Sequence, residues 1–202
     1  MIIGVTGGVG AGKSTVLGLL KKEFGAHLIM CDDVARGLME PGGASYFGVV
    51  SAFGNDILSG GEGSEIDRKK LSAIVFNDKE KLKLLNSLTH PQVMDEVKNL
   101  INDYYINDPY GIIAIEAALL IEAGYRPLLD EVWAVTADPE VRIERLMESR
   151  NYSRERAVKM MENQKSDEEF SSEADFTVYN SKDLEDTRLQ IEERIKYLNE
   201  RD

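Results

Sequence analysis

The sequence predicts an α/β fold built on a parallel sheet, and three observations carry that expectation. Apolar runs of strand length alternate with helix-patterned stretches along the 202 residues, which is the order that repeated βα units produce. The runs are almost continuously hydrophobic, as strands covered by helices on both faces are. A glycine-rich stretch, GGVGAGKST at Gly7–Thr15, falls between the first apolar run and the first helical pattern.

Strands are expected at Ile2–Thr6, Ala26–Met30, Gly111–Glu116, Glu131–Thr136 and Asp175–Tyr179. The last helix has Leu184, Ile191, Ile195 and Leu198 on one face, with Ser181 as its expected cap. Between the second and third strands, Asp33 to Pro109 is too long for a loop and has no strong strand pattern, so it reads as a helical subdomain. Its breaks fall at Pro41-Gly42-Gly43 and at Ser59–Ser64. Asn77 and Glu80 have capping-box spacing, and His90-Pro91 marks a further helix boundary. A second insertion, Asp138 to Phe170, is charged, helical and arginine-bearing. The expected organisation is a core of 1–32, 110–137 and 171–202, a helical subdomain at 33–109 and a lid at 138–170.

Asp plus Glu number 36 against 24 Lys plus Arg, a net charge of −12. So acidic a surface repels phosphate backbones and anionic lipid, which excludes nucleic acid and membranes as general partners. An anionic substrate then has to be held by locally clustered positive groups. The single cysteine, Cys31, excludes an intramolecular disulfide framework, and no apolar run approaches the roughly 20 residues that span a bilayer. The N-terminus lacks a basic leader and enters the first strand directly, so a cytosolic protein is expected. The oligomeric state is left open.

Gly7, four residues, then Gly12, Lys13 and Ser14 match the phosphate-binding pattern G-x-x-x-x-G-K-[ST], placed between strand and helix as its mechanism requires. Glycines let successive N–H groups converge on phosphate oxygens, and the helix N-terminus adds a favourable dipole. Lys13 is expected to reach the β and γ phosphates, and Ser14 to ligate Mg²⁺. The loop implies a nucleoside triphosphate without saying what is done with it. DPYG at Asp108–Gly111 precedes a strand instead of following one, and no N-K-x-D is present, which argues against a switch GTPase.

Asp32 follows the second strand directly, where open α/β sheets bind ligands. It reads either as a carboxylate that takes the proton of an acceptor hydroxyl or as a cap on the next helix. Glu116 reads as a carboxylate near Mg²⁺ or as a buried structural acid. Arg142, Arg145 and Arg150 are candidates to neutralise charge during phosphoryl transfer, Arg145 foremost, against the alternative of a solvated face interleaved with Glu140, Glu144 and Glu148. Arg68, Lys69 and Lys70 suit an anionic acceptor or simply the surface. His90 reads as a substrate contact or a structural histidine. Cys31, Trp133 and Met160-Met161 read as packing.

Over almost its whole length the chain resembles dephospho-coenzyme A kinases. The resemblance rests on IGVTGGVGAGKSTV, DDVAR at Asp32–Arg36, IDRKKLSAIVF at Ile66–Phe76, LNSLTHPQV, EAALLIEAG, Arg145-Leu146, Gln164, and Ala174-Asp175 followed by Asn180. It implies a P-loop three-layer fold with a five-stranded parallel sheet, a helical acceptor-binding insertion and a lid. The implied reaction is ATP-dependent, Mg²⁺-assisted phosphorylation of the ribose 3′-hydroxyl of dephospho-CoA. By the same resemblance Gly7, Gly8, Gly10, Ala11, Gly12, Lys13, Ser14 and Thr15 bind ATP phosphates, and Asp32 is the base or hydroxyl orienter. Arg145 belongs to the lid and the segment Asn180–Lys182 lies near the adenine, while Arg68 and His90 stay acceptor candidates on the residues' own account.

The chain departs from the family pattern at Met30-Cys31-Asp32, where two acids are common. It departs again at Arg150, one position from the usual lid arginine, and at Phe170, where a basic residue is usual. Ala118-Leu119-Leu120-Ile121-Glu122 keeps the family's glutamate without its proline. The alternatives are a kinase of the same architecture acting on another small acceptor, such as a nucleoside monophosphate, and an ATP-dependent regulatory protein without catalysis.

Overall fold

Five strands form one sheet in the order β2-β3-β1-β4-β5: β1 (Ile2–Thr6), β2 (His27–Met30), β3 (Ile113–Glu116), β4 (Glu131–Thr136) and β5 (Phe176–Tyr179). The computed structural model describes residues 1–76, 78–117 and 120–201. β1 pairs in parallel with β3 and with β4, and β4 in parallel with β5, so β1 lies inside the sheet. Every residue of β4 is buried. That includes Glu131, whose carboxylate accepts from Trp133 Nε1 at 2.8 Å and Arg194 Nε at 3.0 Å. The five expected strands are all present, three of them one or two residues shorter than expected.

The chain forms two compact units, Met1–Leu28 with Asp108–Asp202, and Ile29–Asn107. In the first, α1 (Lys13–Phe24) follows β1 and ends at Gly25, whose N–H returns to the Leu20 carbonyl.

The second unit is helical: α2 (Cys31–Leu38), α3 (Tyr46–Phe53), α4 (Arg68–Phe76) and α5 (Lys79–Asn107). Its own core gathers Tyr46, Val49, Ile57, Leu58 and Leu71, with Leu85 and Leu88 packed against them. The boundary expected at His90-Pro91 is not there: Pro91 sits inside α5. An interior proline costs about 3 kcal/mol. Burying Thr89, Val93, Val97 and Ile101, a stripe at four-residue spacing, outweighs it at about 1.5–3 kcal/mol per large apolar side chain. Asn77 lies outside the described residues. Asp78 Oδ1 accepts from the N–H groups of Glu80 and Lys81 at the start of α5.

Back in the first unit, α6 (Pro139–Arg150), α7 (Arg154–Glu162) and α8 (Asp167–Ser172) precede β5, and α9 (Leu184–Asn199) follows it. The cap expected from Ser181 belongs instead to Asp183, whose carboxylate accepts from Asp186 N–H at 2.9 Å. Ser181 Oγ accepts from Asp138 N–H at 2.8 Å, tying the strand exit to the start of α6. Leu184 stands exposed in the first turn, and the buried stripe of α9 is Thr187, Ile191 and Ile195. Among the described residues no helix is long and apolar enough to cross a membrane.

Candidate phosphate-binding site

β1 delivers the chain at Thr6, and only six residues separate it from the start of α1 at Lys13, so the intervening turn has to be tight. Gly7 has φ +141°, and a Cβ there would stand 2.3 Å from the Val135 carbonyl oxygen of β4. Gly12, the N-cap of α1, has φ +95°, and a Cβ there would stand 1.9 Å from Asn180 Nδ2. Only glycine fits either place. No side chain caps α1 and its first turn carries no acid, so the helix start is left for an anion.

The loop's outer face is held through its peptide groups. Val9 buries its side chain with Ile143, Leu146 and Ala157, against which Met160 and Met161 pack. Its N–H donates to Gln164 Oε1 at 2.8 Å, and its carbonyl accepts from Arg142 Nε at 3.0 Å. The Ala11 carbonyl accepts from Asn180 Nδ2 at 2.9 Å and from Arg145 Nη1 at 3.3 Å. Arg145 Nη2 donates to the Asn180 carbonyl at 2.8 Å, and Asn180 Oδ1 accepts from the Thr187 hydroxyl at 2.9 Å. The amide of Asn180, a buried residue, is thus occupied on both sides by protein.

Lys13 Nζ donates to the Gly7 carbonyl at 2.9 Å and to the Gly8 carbonyl at 3.5 Å, with Glu116 Oε1 at 3.9 Å. Glu116 ends β3 and is mostly buried, so this carboxylate and the loop carbonyls hold the ammonium over the loop. Ser14 is exposed in the first turn of α1 and Thr15 partly buried.

The three candidate arginines of α6 divide. Arg142 is buried and pairs with Asp167 of α8 at 2.7 Å; Arg145 is half-buried against the loop; Arg150, the last residue of the helix, is exposed. Burial pushes the Asp167 carboxyl above its ordinary value, against the pull of Arg142. Phe170 is buried, an apolar anchor for α8. Lys165 bridges Glu122 and Glu173.

The sequence gives Gln164 no task and, with Arg145 foremost, leaves Arg142 as one of the lid cations. Helix spacing held the missing signal, because residues 142, 145 and 146 share one face of α6.

In the helical unit, Asp32 and Asp33 lie exposed in the first turn of α2, and Asp33 pairs with Arg36 at 3.1 Å. α2 starts at Cys31, with Met30 as its N-cap residue and no side-chain cap. Asp32 is therefore inside the helix and does not cap it. Arg68, the first residue of α4, borders a cleft of about 100 Å³ with Arg36, Glu40 and Glu65, over Met39, Ile66 and Leu71. His90 is exposed on α5.

The family described as dephospho-CoA kinase (CoaE) matches residues 1–186. The chain belongs to the dephospho-CoA kinase family. It is 40% identical over 190 residues to the dephospho-CoA kinase of Carboxydothermus hydrogenoformans, which covers 94% of this chain and 90% of that one. It is 45% identical over 146 residues to the dephospho-CoA kinase of Moorella thermoacetica, covering 72% and 68%. Among solved structures, the dephospho-CoA kinase of Campylobacter jejuni superposes with a TM-score of 0.68 at 28% identity, over 98% of this chain and 96% of that one. Family and neighbour agree with the P-loop kinase fold.

Proposed function

We infer that this chain transfers the γ-phosphoryl group of ATP to the ribose 3′-hydroxyl of dephospho-CoA, giving coenzyme A and ADP, the last step in making the coenzyme. Membership of the dephospho-CoA kinase family supports ATP and dephospho-CoA as substrates. The single structural observation that carries the reading is the loop itself. Its Val9 and Ala11 carbonyls are bonded outward to Arg142, Arg145 and Asn180, and an uncapped helix start lies behind it.

Phosphoryl transfer asks the protein mainly for positioning and for charge where the transition state needs it. Lys13, held over the loop by the Gly7 carbonyl and Glu116, is one short swing from phosphates seated on the loop. Glu116 keeps that ammonium in place until the nucleotide arrives. Arg145 anchors two of its N–H groups on Ala11 and Asn180, and its remaining donors meet the charge that develops on the transferred group. The segment 138–170 acts as the lid, and its closure keeps water from taking the phosphoryl group.

Asp32 is our candidate for the carboxylate that orients the acceptor hydroxyl and takes its proton. It is exposed and not engaged as a cap. The cleft at Arg68 brings Arg36 and Arg68 together with Glu40, Glu65 and the apolar Met39, Ile66 and Leu71, a mixed lining that suits an acceptor with phosphates and a long amide-bearing arm. His90, exposed on the long helix α5, is kept as a second acceptor contact.

The residues fit Mg²⁺. Among the described residues no cluster of three acidic, histidine or cysteine side chains forms a cage. A nucleotide-bound magnesium uses one or two protein ligands with phosphate oxygens and water, and the exposed Ser14 hydroxyl supplies one. The ion's contribution when bound is to neutralise charge on the β and γ oxygens. A cytoplasmic location goes with this reading, supported by the single cysteine of the sequence, Cys31, which leaves no intramolecular disulfide.

The test is ADP release from ATP and Mg²⁺ with dephospho-CoA, with AMP and with no acceptor. Release only with dephospho-CoA, with coenzyme A identified as product, is expected. Release with AMP changes the acceptor, and release independent of any acceptor removes the kinase reading.

A further inference from the structure

Arg142 is the most deeply buried cation beside the loop, and the phosphoryl-transfer chemistry above does not use it. Its side chain is only 5% exposed. Nε donates to the Val9 carbonyl and Nη1 to Asp167, but Nη2 is buried without a hydrogen-bond partner. An open donor on a buried guanidinium is costly, and such groups are rare. This one is aimed at the loop: a Cβ on Gly8 would stand 2.2 Å from Nη2.

The neighbouring peptide explains what that donor is for. In this structure Lys13 Nζ donates to the Gly7 and Gly8 carbonyls. When Lys13 turns to phosphate it leaves those carbonyls; the Gly8 carbonyl keeps the Ala11 N–H at 3.3 Å, and the lone pair that Lys13 vacates is open to a second donor. Gln164 already holds the Val9 N–H and Arg142 the Val9 carbonyl, so the loop's apex is fixed while Lys13 moves.

We propose that Arg142 is a positioning residue for the phosphate loop: with Gln164 it clamps the Val9 peptide, and its open Nη2 takes over the Gly8 carbonyl when Lys13 swings to the nucleotide. Asp167 keeps the guanidinium in the orientation that makes this possible. The inference rests on the reading of Gly7–Thr15 as the ATP site. It assigns Arg142 to the loop, where the sequence left it as one of three lid cations.

The experiment measures kcat and the two KM values for wild type, Arg142→Ala, Arg142→Lys and Asp167→Asn, with direct ATP titration and a thermal melt of each. Arg142→Ala is expected to raise the KM and Kd for ATP about tenfold or more while the dephospho-CoA KM stays within about twofold. Arg142→Lys should recover part of the loss, because an ammonium can keep the Val9 bond but not the second donor. Asp167→Asn should move ATP affinity the same way by about threefold. It also serves as the deciding variant if Arg142→Ala fails to fold.

A folded Arg142→Ala with wild-type ATP affinity, or an equal rise in both KM values, overturns the proposal. Asp167→Asn with wild-type ATP affinity overturns it where Arg142→Ala cannot be studied. Wild-type protein that binds no ATP overturns the loop reading itself, and the titration distinguishes that outcome.

Discussion

Around the phosphate loop, the side chains that matter are largely buried and bonded to backbone: Asn180 and Arg145 on the Ala11 carbonyl, Arg142 on the Val9 carbonyl, Gln164 on the Val9 N–H. In the unit Ile29–Asn107, the candidate residues Asp32, Arg68 and His90 are all exposed, and the buried Tyr46, Val49, Ile57, Leu58 and Leu71 form an apolar core. The difference follows from the ligands. A phosphate chain is recognised by backbone N–H groups whose direction has to be set in advance, and that takes a rigid surround. A long, flexible acceptor is recognised by side chains that reach it. Substitutions on the two sides should therefore fail in different ways.

The largest effect is expected at Lys13. Lys13→Ala should lower kcat by about a thousandfold, the scale for losing a charge aimed at the transition state, with the melting temperature little changed. Near-wild-type turnover would show that the loop does not hold the reacting phosphates. Asp32→Asn should lower kcat by about a hundredfold and leave both KM values near wild type. An unchanged kcat would leave Asp32 with only a favourable interaction with the helix dipole.

Asn180→Ala sharpens the contrast, because it should affect both stability and nucleotide. Removing a buried amide that bonds Ala11 and Thr187 should cost about 1–3 kcal/mol in denaturant unfolding. It should also raise the ATP KM while sparing the dephospho-CoA KM; a selective change in the acceptor KM would count against the division. The smallest effect belongs to the exposed side. Arg68→Ala should raise the dephospho-CoA KM by about threefold to tenfold with ATP KM and stability unchanged. A loss of stability there would make Arg68 structural.

How much of this could be read in the chain depends on which physical signal each part carries. The strands were legible because their apolar runs are nearly unbroken, and the loop because Gly7, Gly12 and Lys13 are fixed by backbone geometry that few other sequences satisfy. Pro91 misled because a local rule about helix interiors competes with burial of the stripe Thr89, Val93, Val97 and Ile101, which only the packed unit reveals. Ser181 and Asp183 are both good cap residues two positions apart. The choice between them depended on Asp138, which is distant in sequence and takes Ser181. Arg142 and Gln164 were hidden for the same reason: each is defined by a bond to Val9 more than a hundred residues away. In the helical unit the candidate acceptor residues Asp32, Arg68 and His90 each kept a capping, surface or structural alternative, since an exposed side chain carries no packing signal.

One titration tests the central claim, that the nucleotide side is built before the acceptor arrives. A non-hydrolysable ATP analogue with Mg²⁺, standing in for ATP so that no phosphoryl transfer occurs, is titrated into wild-type protein with and without saturating dephospho-CoA, followed by calorimetry. ATP is expected to bind the protein alone, with a dissociation constant within about threefold of that in the presence of acceptor. No detectable ATP binding until dephospho-CoA is added would contradict a preset loop.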